Sequence, residues 1–143
     1  MNNKYAWSQV ILRVVLGLTF FIHGLVKFQD GIGNTAGWFD SIGLPGFLAY
    51  AVALLELVGG LAVLFGLGTR VISGLFVVLM AGAILKVKLA GGFLGDGQGA
   101  GYELDLVLLA MSLYFLINGS KSFALDQVIS NSNEKDNETY RSA

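Results

Sequence analysis

SQVILRVVLGLTFFIHGLVKF, residues 8–28, is the stretch that decides the fold. About 20 predominantly apolar residues cross the hydrocarbon core of a bilayer, with about 17 as a lower limit. Only Arg13, His23 and Lys27 are ionisable in this run. Lys4 precedes it as in a secretory signal, but no small-x-small cleavage pattern interrupts it and further apolar stretches follow. It reads as a retained first membrane helix after a short tail, residues 1–7.

Three more runs qualify: about Phe47–Leu67, Val71–Leu89 and Tyr102–Ile117, the last being the shortest. Breakers fall between them. Gly31, Gly33, Gly37, Gly43, Pro45 and Gly46 divide the first connection, whose Thr35–Ile42 stretch with Trp38 and Phe39 reads as a short interfacial helix. Gly66, Gly68, Thr69 and Arg70 make a tight turn, and residues 91–101 form a glycine-dense hairpin. The expected architecture is all-α: an integral membrane four-helix up-down bundle over residues 8–126, with a polar, disordered tail at 127–143. Gly17, Gly24, Gly59, Gly60, Gly74 and Gly82 recur within spans, where small residues let backbones approach.

The composition agrees. Of 143 residues, 55% are hydrophobic and only 13% charged, against roughly 25% charged in soluble domains. The mean hydropathy is +0.68. A formal net charge of −1 supplies no basic field for nucleic acid. With no cysteine and one histidine, the chain can build neither a thiolate nucleophile nor an iron–sulfur, bis-histidine haem or His-rich metal site. No metal and no intrinsic cofactor are expected. Lys4, Arg70, Lys121 and Arg13 fall towards one side and Lys27, Lys86 and Lys88 towards the other, a weak positive-inside vote for cytoplasmic termini in a plasma membrane.

Ionisable groups within a bilayer cost about 2.5–3.5 kcal/mol each on insertion scales, so those retained demand an explanation. In an up-down bundle His23, Lys27, Glu56, Lys86 and one of Glu103 and Asp105 collect in the same half of the membrane. His23 lies about 7.5 Å from the end of its run at 1.5 Å per residue. Glu103 and Asp105 point to opposite sides of a helix, as do Lys86 and Lys88. Glu103, beside the Tyr102 hydroxyl, and Lys86, on the face of Gly82, are expected to line a pocket, with Lys88 and Asp105 at its rim. Arg13, near the other end, is expected to snorkel to headgroups or pair with the tail. A structural reading competes throughout: the Glu–Lys pairs glue helices together and His23 is a packing histidine.

From Val10 to Asp126 the sequence resembles the DoxX family of small four-helix membrane proteins. The resemblance rests on Arg13, His23-Gly24-x-x-Lys27, Gly43-Leu44-Pro45, Glu56-x-x-Gly59-Gly60, Gly68-Thr69-Arg70, Gly101-Tyr102-Glu103-Leu104, Gly119 and Ser122-x-x-Leu125-Asp126, in that order. Ala36-Gly37-Trp38-Phe39 and Phe93-Leu94-Gly95-Asp96-Gly97 further resemble its CatD/MhqP-like branch, associated with catechol and hydroquinone stress. The resemblance implies an oxidoreductase linked to quinones and protection from catechols, quinones or oxidants. Without a redox centre of its own, such a chain depends on a bound quinone or a partner's cofactor. His23, Glu56 and Glu103 are then the expected catalytic residues, and Lys27, Lys86 and Tyr102 the binding residues. Membrane lipid, a quinone or catechol-type molecule, a soluble redox or detoxifying enzyme and a second copy of the chain are the expected partners. Two other functions fit the same sequence: a non-enzymatic scaffold recruiting a soluble detoxifying enzyme, and a small-molecule transporter.

Overall fold

A computed structural model of the chain describes residues 3–132, and they are helical with no strand among them. Helix α1, Asn3–Gln29, begins within the expected N-terminal tail and ends before Gly31, whose φ of 93° a side chain would resist. Helix α2, Ile32–Ser41, buries none of its residues and overlaps the expected interfacial helix, one turn early. Helix α3 spans Phe47–Phe65 and α4 Thr69–Gly91. At the end of α3, Gly66 turns left-handed (φ 73°) and Leu67 N–H donates to the Ala62 carbonyl, closing the helix with bonds its last carbonyls would otherwise lack. Helix α5 runs Glu103–Asn118, and residues 125–132 form a short helix, α6. The expected disordered tail therefore starts in helix; its remainder, 133–143, lies outside the described residues.

Helices α1, α3 and α4 are long and apolar enough to cross a membrane. At 16 residues, α5 reaches about 24 Å, short of the hydrocarbon thickness. Large side chains such as Ile11, Val15, Val58, Phe65, Val71 and Val78 face outward, the pattern lipid tolerates and water does not.

Two helix pairs are joined by different means. Helices α1 and α3 touch backbone to backbone: a Cβ on Gly24 would stand 2.4 Å from Leu57 N, and one on Gly60 2.4 Å from Phe21 N. The neighbours are main-chain atoms, so nothing can rotate aside. Residue 17 lies against 60–64 and residue 24 against 53–57, so the two run antiparallel. Helices α4 and α5 pair antiparallel through side chains, with Arg70 Nε donating to the Leu116 carbonyl at 3.1 Å at one end and Lys88 meeting Asp105 at the other. Phe20 and Phe76 stack at 3.7 Å between centroids and join the two pairs, within a core of Leu16, Val63, Met80, Leu108 and Phe115.

The chain after α5 folds back on the bundle. The Arg13 guanidinium donates to Ser120 Oγ, the Ser122 carbonyl (3.0 Å) and the Phe123 carbonyl (2.8 Å). Asp126 accepts from the N–H groups of Gly68 (2.9 Å) and Thr69 (3.3 Å), capping α4. Arg13 thus pairs with the segment following α5 rather than reaching outward, and it is 4% exposed.

Candidate functional site

Two turns in the bundle are wound wider than an α-helix, with i→i+5 bonding: Leu55–Gly59 in α3 and Ile84–Lys88 in α4. Such insertions are rare and gather at functional sites. Here each carries charge, Glu56 in the first and Lys86 and Lys88 in the second. Both border one cavity of about 370 Å³. Phe20, Val52, Leu79 and Leu108 supply apolar wall, and Trp38, Phe39 and Leu44 from α2 and its following turn close one side. The glycine-rich loop contributes no lining residue. It is pinned as its own hairpin by a Gly95–Ala100 bridge and by Asp96, which accepts from Gln98 and Gly99 N–H.

The polar groups enter this apolar chamber as pairs. Lys27 Nζ lies 2.6 Å from Glu56 Oε2, linking α1 to α3. Lys88 Nζ lies 2.6 Å from Asp105 Oδ2, an ion contact without hydrogen-bond geometry, and links α4 to α5. Both carboxylates are deeply buried, Glu56 5% and Asp105 6% exposed. A buried charge is tolerated only with a partner held in good geometry. Lys86 also borders the cavity from a more exposed position, and no carboxylate among the described residues lies within ion-pair distance of it. The chamber therefore holds three ammonium groups against two carboxylates.

His23 borders the chamber from α1, with Nδ1 2.7 Å from the Thr19 carbonyl. A carbonyl only accepts, so Nδ1–H donates to it, and Nε2 has no hydrogen-bond partner among the described residues.

The structure thus brings His23, Lys27, Glu56 and Lys86 to one place. It does not bring Glu103 or Tyr102 there. Glu103 is exposed, and Tyr102 meets Phe93 edge-on at 5.6 Å, away from the cavity lining. Asp105 occupies the position expected of Glu103, and Lys88 joins the site rather than its rim. In the folded helix Asp105 shares the buried face of α5 with Leu108, Ser112 and Phe115, but Leu104, Leu106, Val107 and Leu113 make the other faces equally apolar, so sequence did not mark it. Nor did it mark Lys88, since the wide turn shifts the phase of every later residue against a 3.6-residue count. Trp38 and Phe39 were expected only as interfacial aromatics; contact with the cavity depends on how α2 folds back, which local sequence does not encode.

Helices able to span a bilayer, enclosing a chamber of buried ion pairs, define a small membrane protein with an internal polar site. The model of the DoxX family matches residues 8–89, and the chain belongs to that family. It is similar to a Bacillus subtilis protein named "Putative oxidoreductase CatD", 43% identical over 90% of this chain and 92% of the relative. An uncharacterized membrane protein of Mycobacterium tuberculosis is 35% identical over 86% of this chain and 82% of its own length. An inner membrane protein of Escherichia coli, YqjF, is 38% identical over 43% of this chain and 46% of its own. No solved structure matches significantly.

Proposed function

We propose that the chain is a four-span plasma-membrane protein that binds a quinone or catechol-type aromatic in the α1/α3/α4/α5 cavity and moves a proton through His23. For α5 as the fourth span, the support is its outward Leu106, Val107, Leu113 and Ile117 and its packing along α4. The two antiparallel pairs support an up-down order, and Lys4, Arg13, Arg70 and Lys121 at one end, against Lys27, Lys86 and Lys88 at the other, give a weak vote for cytoplasmic termini.

The observation that carries the binding reading is the chamber itself: about 370 Å³, mostly apolar, with convergent charges and an unengaged imidazole nitrogen. A chamber of that kind is what a small aromatic with polar oxygens requires. Lys86, without an ion-pair partner among the described residues, would hold a phenolate or quinone oxygen by a charge-assisted hydrogen bond, with Lys27 lining the same cavity. His23 Nε2 accepts or returns the hydroxyl proton, while Thr19 keeps the ring oriented. Glu56 and Asp105 fix the lysines and balance their charge, Asp105 filling the role anticipated for Glu103. A bound quinone supplies the redox couple, exchanging two electrons and two protons with a partner protein. The relative's oxidoreductase name supports this reading, and a role in catechol, quinone or oxidative-stress detoxification follows from it.

Trp38 borders the cavity, so its fluorescence reports occupancy once Trp7 is replaced by Phe. Saturable quenching by catechol or a short-chain quinone is expected, weakened in His23→Ala and Glu56→Gln. Cells carrying either variant, inserted normally, are expected to lose catechol tolerance. Unchanged quenching and tolerance in both variants would overturn the assignment.

A further inference from the structure

At the opposite end of the bundle lies a second, more open groove of about 720 Å³, between the start of α1, the α3–α4 turn and α6. Arg13 and Lys121 border it. The carbonyls of Ser122 and Phe123 orient the Arg13 guanidinium but carry no net charge, so its formal charge stays uncompensated by them. Asp126 is close enough for its charge to act on Arg13 while its oxygens accept from Gly68 and Thr69 N–H, so Arg13 and Lys121 together leave one positive charge unbalanced against it. No carboxylate among the described residues forms an ion pair with either cation. Arg13 Nε and Ser122 Oγ are buried here without a hydrogen-bond partner. Among the described residues, then, one positive charge and two buried polar atoms at this groove have no partner, the condition an anion would relieve.

The surroundings say where that anion comes from. Trp7 and Phe123 sit at this end with rings 5.6 Å apart, both largely exposed. Exposed aromatics of this kind mark the headgroup level of a bilayer. Phe123 holds its place at a φ of 47°, a backbone conformation side chains avoid. Leu125, Val128 and Ile129 form an exposed apolar stripe on α6, the pattern of a helix lying in the interface. Leu64 and Phe65 complete an apolar wall beside the cations.

We propose that this groove binds the phosphate of an anionic phospholipid, with Arg13, Lys121 and the Ser122 hydroxyl on the headgroup and the Phe65–Leu125–Val128 wall on an acyl chain. The site is separate from the aromatic-binding cavity and does not depend on its function. A free phosphate would satisfy the cations but not the wall. The chain's own Glu134, Asp136 and Glu138 are the other available anions.

Native mass spectrometry of the full chain, released from detergent with equal phosphatidylglycerol and phosphatidylcholine, tests the assignment. Wild type should retain phosphatidylglycerol in preference, by about fivefold per cation engaged. Because Arg13 also anchors the segment after α5, the informative variant is Lys121→Gln with Ser122→Ala, folding checked by its unfolding temperature in phosphatidylcholine. Its preference should fall several-fold, and excess inorganic phosphate should not displace the lipid from wild type. Equal retention of both lipids, or an undiminished preference in the variant, would refute the site. So would displacement by inorganic phosphate. A preference emerging only in a Glu134→Gln, Asp136→Asn, Glu138→Gln chain would refute it too, since the groove would then belong to the chain's own acids.

Discussion

Glu56 and Lys27 illustrate how a charge survives among apolar side chains. At 2.6 Å the pair is short and strongly directional, and the carboxylate has almost no contact with the outside. Removing one partner strands the other in a low dielectric, which typically costs about 3–5 kcal/mol, whereas removing both together is close to neutral. Lys27→Met is therefore expected to lower stability by roughly 3 kcal/mol, and Lys27→Met with Glu56→Gln to recover most of it. Unfolding in detergent, followed by helical signal, reads the difference; a double variant no better than the worse single would show that the pair is not the relevant unit. His23 is legible at this scale from sequence alone, being a lone histidine one turn before a lysine. Glu103 and Asp105 were not separable by type, since two carboxylates two residues apart differ only in which way the finished helix is turned.

Helix contacts in this molecule depend on which atoms lie opposite a glycine. Gly24 and Gly60 face main chain at 2.4 Å, while Gly82 faces nothing within 4 Å. Adding a methyl at 24 or 60 must separate α1 from α3; adding it at 82 only improves helix propensity, by up to about 1 kcal/mol. Gly24→Ala and Gly60→Ala are expected to lower the unfolding temperature, and Gly82→Ala to hold or raise it. Identical behaviour of all three would contradict the close backbone crossing. The glycine-rich loop allows a pH test, because the Asp96 carboxylate is held below the usual aspartate range by the N–H groups of Gln98 and, next, Gly99. A depressed value means that the order it contributes is complete above the ordinary value of about 3.9 and disappears as pH falls through the lower folded value. Amide protection at Gln98 and Gly99 should persist down to mild acid and then fade, and Asp96→Asn should weaken it at neutral pH. Protection that fades between pH 7 and 5 would be inconsistent with this hairpin.

Across the whole molecule, the end of the chain holds its middle in place. Asp126 caps α4, its own N–H donates to the Gly66 carbonyl at 3.1 Å, and Arg13 of α1 grips residues 120–123. Three distant segments thus meet at one point. Asp126→Ala removes a helix cap, typically worth about 1 kcal/mol, and is expected to expose the 120–128 segment to protease while leaving the cavity's ion pairs formed. Limited proteolysis of the solubilised protein checks this, and an unaltered cleavage pattern would mean that Arg13 alone suffices. The Ser122-x-x-Leu125-Asp126 pattern was visible beforehand; its action as a clasp on the α3–α4 turn was not, because nothing local links residue 126 to residue 68.

From its amino acids alone, the chain is committed to long apolar helices separated by glycine- and proline-rich turns, with most of the ionisable groups inside its spans at one depth. Those properties follow from local composition and from the 1.5 Å rise of a helix, which fixes depth along each span. The rotation of each helix about its own axis was left to tertiary packing. Backbone contact at Gly24 and Gly60 orients α1 and α3, and the wide turns at Leu55–Gly59 and Ile84–Lys88 reset the angular count. That is why Asp105 and Lys88 enter the cavity while Glu103 does not: depth is additive along a chain, but facing is decided only when helices meet.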